Sequence, residues 1–283
     1  MPEFLNALLL GIIEGITEFL PISSTGHLII AEQWLGHRSV LFNVAIQAAA
    51  ILAVVFIYWK KLVALVQAFL GRRDVVHPET GQSLGIGFAR DYVIKLGVSF
   101  AVTVVGMLVV KKLGWELPDA VRPIAYALVI GAVWMVVAEH FAAKRAARDG
   151  ERRQITWTIA VLVGLAQVVA GVFPGTSRSA ATIFVALLAG CTSRAAATEF
   201  AFLVGIPTMF AATGYEFLSL AKDGQLGQEN WTSLGIASVA SAITAFIAVK
   251  WLLRYIQSHR FTAFAVYRAI LAAILLALVP ATA

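Results

Sequence analysis

Charge is what this chain has least of. Only 13% of its 283 residues are Asp, Glu, Lys or Arg, 60% are apolar, and the mean hydropathy is +0.83. A soluble domain carries about twice that charge, so lipid rather than water must face much of the surface. Cysteine is nearly missing as well. The single Cys191 excludes an internal disulfide and leaves the redox compartment unread. No P-loop, dinucleotide-binding glycine pattern or zinc-ligand spacing occurs. A basic leader is absent too: the chain opens with Glu3 and carries Glu14 and Glu18 inside its first apolar run, so a signal peptide is not expected.

What is present is a series of long apolar runs. Phe42–Trp59, Tyr92–Val110, Ile124–Ala138, Phe200–Leu220, Leu234–Val249 and Phe261–Val279 approach or reach the length that crosses a core of about 30 Å. The fold class expected is all-α, a polytopic membrane protein. The net charge of +6 gives no reason to expect nucleic acid, because the cations gather in short connections. These are Lys60, Lys61, Arg72 and Arg73; then Lys144, Arg145, Arg148, Arg152 and Arg153; then Lys250, Arg254 and Arg260. Clusters of this kind mark cytoplasmic loops. Tryptophans, Trp115 among them, flank the spans as an aromatic belt, and His37, His77, His140 and His259 read as solvated.

The chain also repeats itself. Leu9–Glu14 matches Leu162–Gln167 at an offset of 153, and at that offset Pro21 falls on Pro174, Ser23 on Thr176 and Ser24 on Ser177. Placing all three basic loops in the cytoplasm leaves the Lys222–Asn230 loop outside and gives the halves opposite topology, as in inverted-repeat transporters. The expected organisation is one membrane domain, with repeats at about 1–142 and 154–283 joined by a basic loop at 143–153. The stretch Thr182–Ala189 would rise only about 12 Å as a helix, too short to cross. Leu28–Leu35 shares that limit, so each repeat is expected to contribute a re-entrant helix hairpin. Irregular backbone at membrane depth is tolerated only where protein or a wet cavity satisfies it, and the meeting point of the two tips is the expected site.

Two polar segments interrupt the apolar pattern there. In the first, Glu14 and Glu18 share a helix face. Each costs roughly 3 kcal/mol in a membrane helix, so a cation, a retained proton or a basic partner must offset them. Oxygen-only ligands suit Mg2+ or Ca2+. Ser23, Ser24 and Thr25 follow between Pro21 and Gly26, with His27 next. This is either a nucleophilic hydroxyl with an imidazole base or a capping turn. The second segment holds Thr176, Ser177, Arg178, Ser179 and Thr182. Its guanidinium fork matches phosphate oxygens, the N–H groups of the following helix add an anion site, and the same Arg can neutralise Glu14 or Glu18. Glu139–His140 reads as an interfacial end, and Glu199, just after Arg194, as a cap or an outer member of the site.

At these residues the chain resembles the bacterial undecaprenyl-diphosphate phosphatases, the bacitracin-resistance membrane family. The family's E-G-x-T-E-F-L-P-x-S-S-T-G-H stands at Glu14 to His27 and its P-G-T-S-R-S at Pro174 to Ser179, and similarity runs over nearly the whole chain. Supporting segments include Ala45–Gln47, Ile206–Met209 and Tyr267-Arg268. Two departures stand out: Ala180 replaces a usual Gly, and Asn43 a common acidic residue.

The resemblance implies a hydrolase of the bacterial plasma (inner) membrane, open to the external side. It would convert undecaprenyl diphosphate to undecaprenyl phosphate with a divalent cation. Glu14 and Glu18 would be the acidic pair, both catalytic and the metal ligands. Ser24, His27 and Arg178 would be catalytic with them, and Ser23, Thr25, Thr176, Ser177, Ser179 and Thr182 would join Arg178 as phosphate contacts. Ser24 activated by His27 and a metal-activated water are both open as nucleophile. The expected partners are the polyprenyl diphosphate lipid, membrane lipid and a second copy in a homodimer. Two rivals stand beside the enzyme: a transporter or flippase for the lipid carrier, and a non-catalytic scaffold.

Overall fold

The computed structural model describes residues 2–71, 85–114, 121–224 and 226–278. Arg72, Arg73, His77 and Trp115, placed above in loops or in the belt, and Val279, the end of the last apolar run, lie outside the described residues. Among those described, the regular elements are all helical. In chain order they are α1 (Glu3–Thr17), α2 (Ser24–Leu35), α3 (Val40–Ile57), α4 (Trp59–Phe69), α5 (Gly85–Lys112) and α6 (Val121–Asp149). There follow α7 (Trp157–Val172), α8 (Arg178–Leu188), α9 (Arg194–Lys222), α10 (Trp231–Ser258) and α11 (Thr262–Leu278), with one 3-10 turn before α10.

Each of the six apolar runs becomes a helix. Five of these, α3, α5, α6, α9 and α10, are long and apolar enough to cross a membrane. The sixth, α11, has 17 residues. Large apolar side chains stand outward along them, Phe56, Ile130, Val239 and Ile247 among the most exposed. The chain is an all-helical, multi-pass membrane protein.

The cationic connections are less loop-like than expected. Lys144, Arg145 and Arg148 continue α6 to Asp149, so most of the segment 143–153 is helix, and Lys250 and Arg254 lie within α10. Ala, Lys and Arg are strong helix formers, so a helix carries on past its apolar stretch until a stop signal. For α6 that signal is Gly150, at φ 80°.

Packing is tightest where glycine lets backbones meet. A Cβ on Gly11 would run into the Ala237 carbonyl, and one on Gly15 into Ser241 O and Thr244 of α10. Gly164 plays the same part in α7, where a Cβ would sit 2.6 Å from Ser99 O of α5. Small residues at such crossings are how membrane helices approach closely without a hydrophobic driving force. Thus α1 rests on α10 and α7 on α5, while α3 packs on α9 and α6 on α11. The turns after α1 and α7 are brought together inside this frame.

Candidate functional site

Those two turns are built alike. Ser23 and Ser177 are the only non-glycine residues with positive φ among the described residues, at 75° and 70°. Each is also a helix N-cap: Gly26 N–H donates to Ser23 Oγ and Ala180 N–H to Ser177 Oγ, both at 3.3 Å. Such backbone costs about 1–3 kcal/mol per residue and persists only where the surroundings impose it. The matching serines correct the expected register. They lie 154 residues apart, so Ser23, not Ser24, is the counterpart of Ser177, and Ser24 matches Arg178. The second turn holds one extra residue, and an insertion in irregular chain leaves no mark on a hydropathy pattern.

The turns meet at Glu18. Its Oε1 accepts a hydrogen bond from Arg178 Nη2 at 2.7 Å, and its Oε2 accepts one from Ser24 Oγ. Arg178 Nη2 also donates to Gln47 Oε1 of α3 at 3.2 Å. Glu18 is buried, whereas Arg178 keeps 26% of its side chain exposed, so the guanidinium is the open edge of the cluster. Ser179 Oγ ties the turns together a second time, donating to Leu20 O and pairing with Ser177 Oγ, each at 3.1 Å. Thr182 folds back onto Arg178 O at 2.7 Å, and Thr25 is exposed.

His27 goes elsewhere. Its Nδ1 meets Ser23 O and its Nε2 meets Tyr267 Oη of α11, both at 2.7 Å, with the two rings stacked. Ser24 donates to Glu18 instead, so the expected Ser24–His27 pair is not formed. The capping turn and the hydroxyl site weighed as alternatives coexist, with Ser23 as the cap and Ser24 turned to the carboxylate.

Glu14, one helical turn before Glu18, is fully buried, and both its carboxylate oxygens lack a hydrogen-bond partner. Its repeat counterpart Gln167 instead donates to Thr103 Oγ1 at 2.9 Å. Orphaned carboxylate oxygens suit a hard divalent cation. No group of three or more His, Cys, Asp or Glu occurs among the described residues. Two carboxylates without a closed protein cage are what an ion that keeps water and phosphate ligands requires. Asn43, the uncharged departure, donates to Glu32 Oε1 at 2.9 Å, and Ala180 is buried behind the Ser177 cap.

Sequence reasoning gave Gln47, Tyr267 and Arg268 no role. The Arg268 guanidinium reaches Pro21 O of the first turn and Gly175 O and Thr176 O of the second. An arginine within the last apolar run was the available signal. Glu139 is buried and pairs bidentately with Arg194 at 2.7 and 2.9 Å, while Glu199 pairs with Lys61 of α4 rather than capping α9. Near the Glu139–Arg194 pair is a cavity of about 320 Å³, at the far end of α8 from Arg178 and away from the motif residues.

Residues 7–274 match the family model described as "Bacitracin resistance protein BacA". The chain is 61% identical over 274 residues to an undecaprenyl-diphosphatase of Rhizobium johnstonii, covering 97% of this chain and 96% of that one. It is 57% identical over 283 residues to an undecaprenyl-diphosphatase of Xanthomonas euvesicatoria pv. vesicatoria, covering 100% of both.

Proposed function

The chain belongs to the bacitracin resistance protein BacA family, and on that premise we propose how its paired turns act on a lipid diphosphate. It is an undecaprenyl-diphosphatase: it removes the terminal phosphate of undecaprenyl diphosphate and leaves undecaprenyl phosphate. The mechanism rests on one observation, the grip on Glu18 from Ser24 on one side and Arg178 on the other.

The terminal phosphate docks at the open edge of Arg178, whose fork matches its oxygens, with the first N–H groups of α8 behind it. Ser24 Oγ attacks the terminal phosphorus, and the bond from that phosphorus to the bridging oxygen breaks. Undecaprenyl phosphate departs, and the serine proton passes to Glu18 Oε2, its hydrogen-bond partner. Water then adds to the phosphoserine phosphorus as the P–Oγ bond breaks; Glu18 returns its proton to Ser24 Oγ, and the proton lost by the water leaves with the inorganic phosphate. Charge spreads over the phosphoryl oxygens as the bond opens, so electrostatic stabilisation by Arg178 is the main term. Ser177, Ser179 and Thr182 hold that arginine's turn, and Ser23 and Thr25 flank the nucleophile. His27, fixed by Tyr267, borders the entry.

Glu14 and Glu18 are the residues that would hold a divalent cation, Mg2+ or Ca2+. When bound, it supplies charge neutralisation beside the phosphate. The unpartnered oxygens of Glu14 support this, and they also favour the second reading, in which water rather than Ser24 is the nucleophile. Acid quenching during turnover separates the two: phosphate trapped on Ser24 supports the serine, and steady turnover by Ser24→Ala eliminates it.

The wider architecture belongs to the same proposal. The repeats run in opposite senses, at about 1–142 and 154–283. The short helices α2 and α8, of 12 and 11 residues, rise only about 16–18 Å and form re-entrant hairpins with the turns. The exchanged packing of α1 on α10 and α7 on α5 supports that arrangement. The membrane is the bacterial inner membrane, with the basic helix ends in the cytoplasm and the site open to the outside. Phosphate release from purified protein and undecaprenyl diphosphate in detergent, with and without chelator, tests the function. A flippase would release none, since detergent leaves no sides to transport between.

A further inference from the structure

Arg268, on α11, is wholly buried, and among the described residues no carboxylate pairs with it. A guanidinium has five N–H bonds, and here each is spent on a backbone carbonyl. Nε donates to Leu128 O at 3.2 Å. Nη1 donates to Pro21 O and Thr176 O, both at 3.2 Å, and Nη2 to Ala127 O and Gly175 O, both at 3.0 Å. One side chain thus holds the first turn through Pro21, the second through Gly175 and Thr176, and both to α6. Its neighbour Tyr267 holds His27. Gly131 of α6 leaves the space for it: a Cβ there would overlap Arg268 Nη2.

We propose that Arg268 is a positioning residue for the phosphatase reaction, a five-carbonyl clamp that keeps the Glu18–Ser24 turn and the Arg178 turn aimed at one phosphate. This rests on the function stated above. An unpaired buried cation is a costly arrangement, and a neutral side chain could have filled the same space. What only a guanidinium does is fork to three segments at once. Its uncompensated charge also lies behind the turns that receive an anion. Loosening the clamp misaligns groups that act in the transition state, and misplacement by about 1 Å costs on the order of 100-fold in rate. The loss falls on kcat rather than KM, because Arg178 still binds phosphate.

The test measures phosphate release in detergent by wild type, Arg268→Gln, Arg268→Lys and Gly131→Ala, with melting temperatures recorded. Expected are a kcat drop of about 100-fold for Arg268→Gln and about 10-fold for Gly131→Ala, with KM within about threefold. Combined with Arg178→Ala, Arg268→Gln adds little further loss, because it acts through that residue's turn. Should Arg268→Gln fail to fold, Gly131→Ala and Arg268→Lys decide. Gly131→Ala keeps the charge and improves α6's helix propensity, so its loss reports the seat of the guanidinium. Folded variants with kcat within about threefold of wild type, or losses that multiply with Arg178→Ala, overturn the clamp. No release by wild type sinks the functional reading instead.

Discussion

In the proposed mechanism three side chains, Glu18, Ser24 and Arg178, carry most of the chemistry, and two of them were visible as ionisable groups stranded in apolar sequence. Glu18 and Arg178 stood out because membrane burial makes such residues expensive. Their pairing at 2.7 Å across 160 residues bears out only that they could neutralise each other. On that mechanism, removing either is expected to end efficient turnover. Arg178→Ala is expected to lose about 10³-fold in kcat, the scale of a phosphoryl-stabilising arginine. Glu18→Gln is expected to lose about 10²–10⁴-fold, the scale of a positioned base. Equal turnover by purified Glu18→Gln and wild type would remove Glu18 from the mechanism. His27 was harder to read. Its spacing from Ser24 suggested a base, but its partner Tyr267 lies 240 residues away, and a side chain turns to whichever acceptor the tertiary fold supplies. Tyr267→Phe deletes one hydrogen bond, worth about 1 kcal/mol, and should slow phosphate release several-fold while lowering the melting temperature by no more than about 2–4 °C.

The helices themselves were the most legible part, since sustained apolar length is a strong signal. Their ends were not. Charge led the eye to loops at Lys144–Arg153 and Lys250–Arg260, where helix propensity carries α6 and α10 onward. The short α4 joins α3 through Tyr58 alone and has no apolar length to announce it. Which helices touch was also hidden, because hydropathy is silent about which glycine faces which backbone. Gly11 and Gly164 mark those faces. Replacing either by Ala forces a helix pair apart, at an overpacking cost of about 1–3 kcal/mol. Thermal unfolding in detergent should begin several degrees lower for both variants. An unchanged midpoint would mean that the crossings are looser than described.

The arrangement of the whole chain can be read by labelling. Cys191 is buried, and that burial pushes its thiol up to about 11, so the native protein gives a silent background. Introduced at exposed positions, Asp223→Cys should react with an impermeant maleimide on intact cells and Ala147→Cys only after lysis. Both reacting from the same side would refute the inverted halves. The likeness of the two turns was legible in the sequence as a repeated motif, but the pairing of Ser23 with Ser177 was missed by one residue because turns lack periodicity. The packing of α1 against α10 bears on how the protein is made. α1 is made long before α10, so the segment that carries the buried acid Glu14 spends most of synthesis with only α2 and α3 beside it and without its main packing partner. The close crossing at Gly11 and Gly15 therefore forms out of the order of translation, closing only when the final third of the polypeptide arrives.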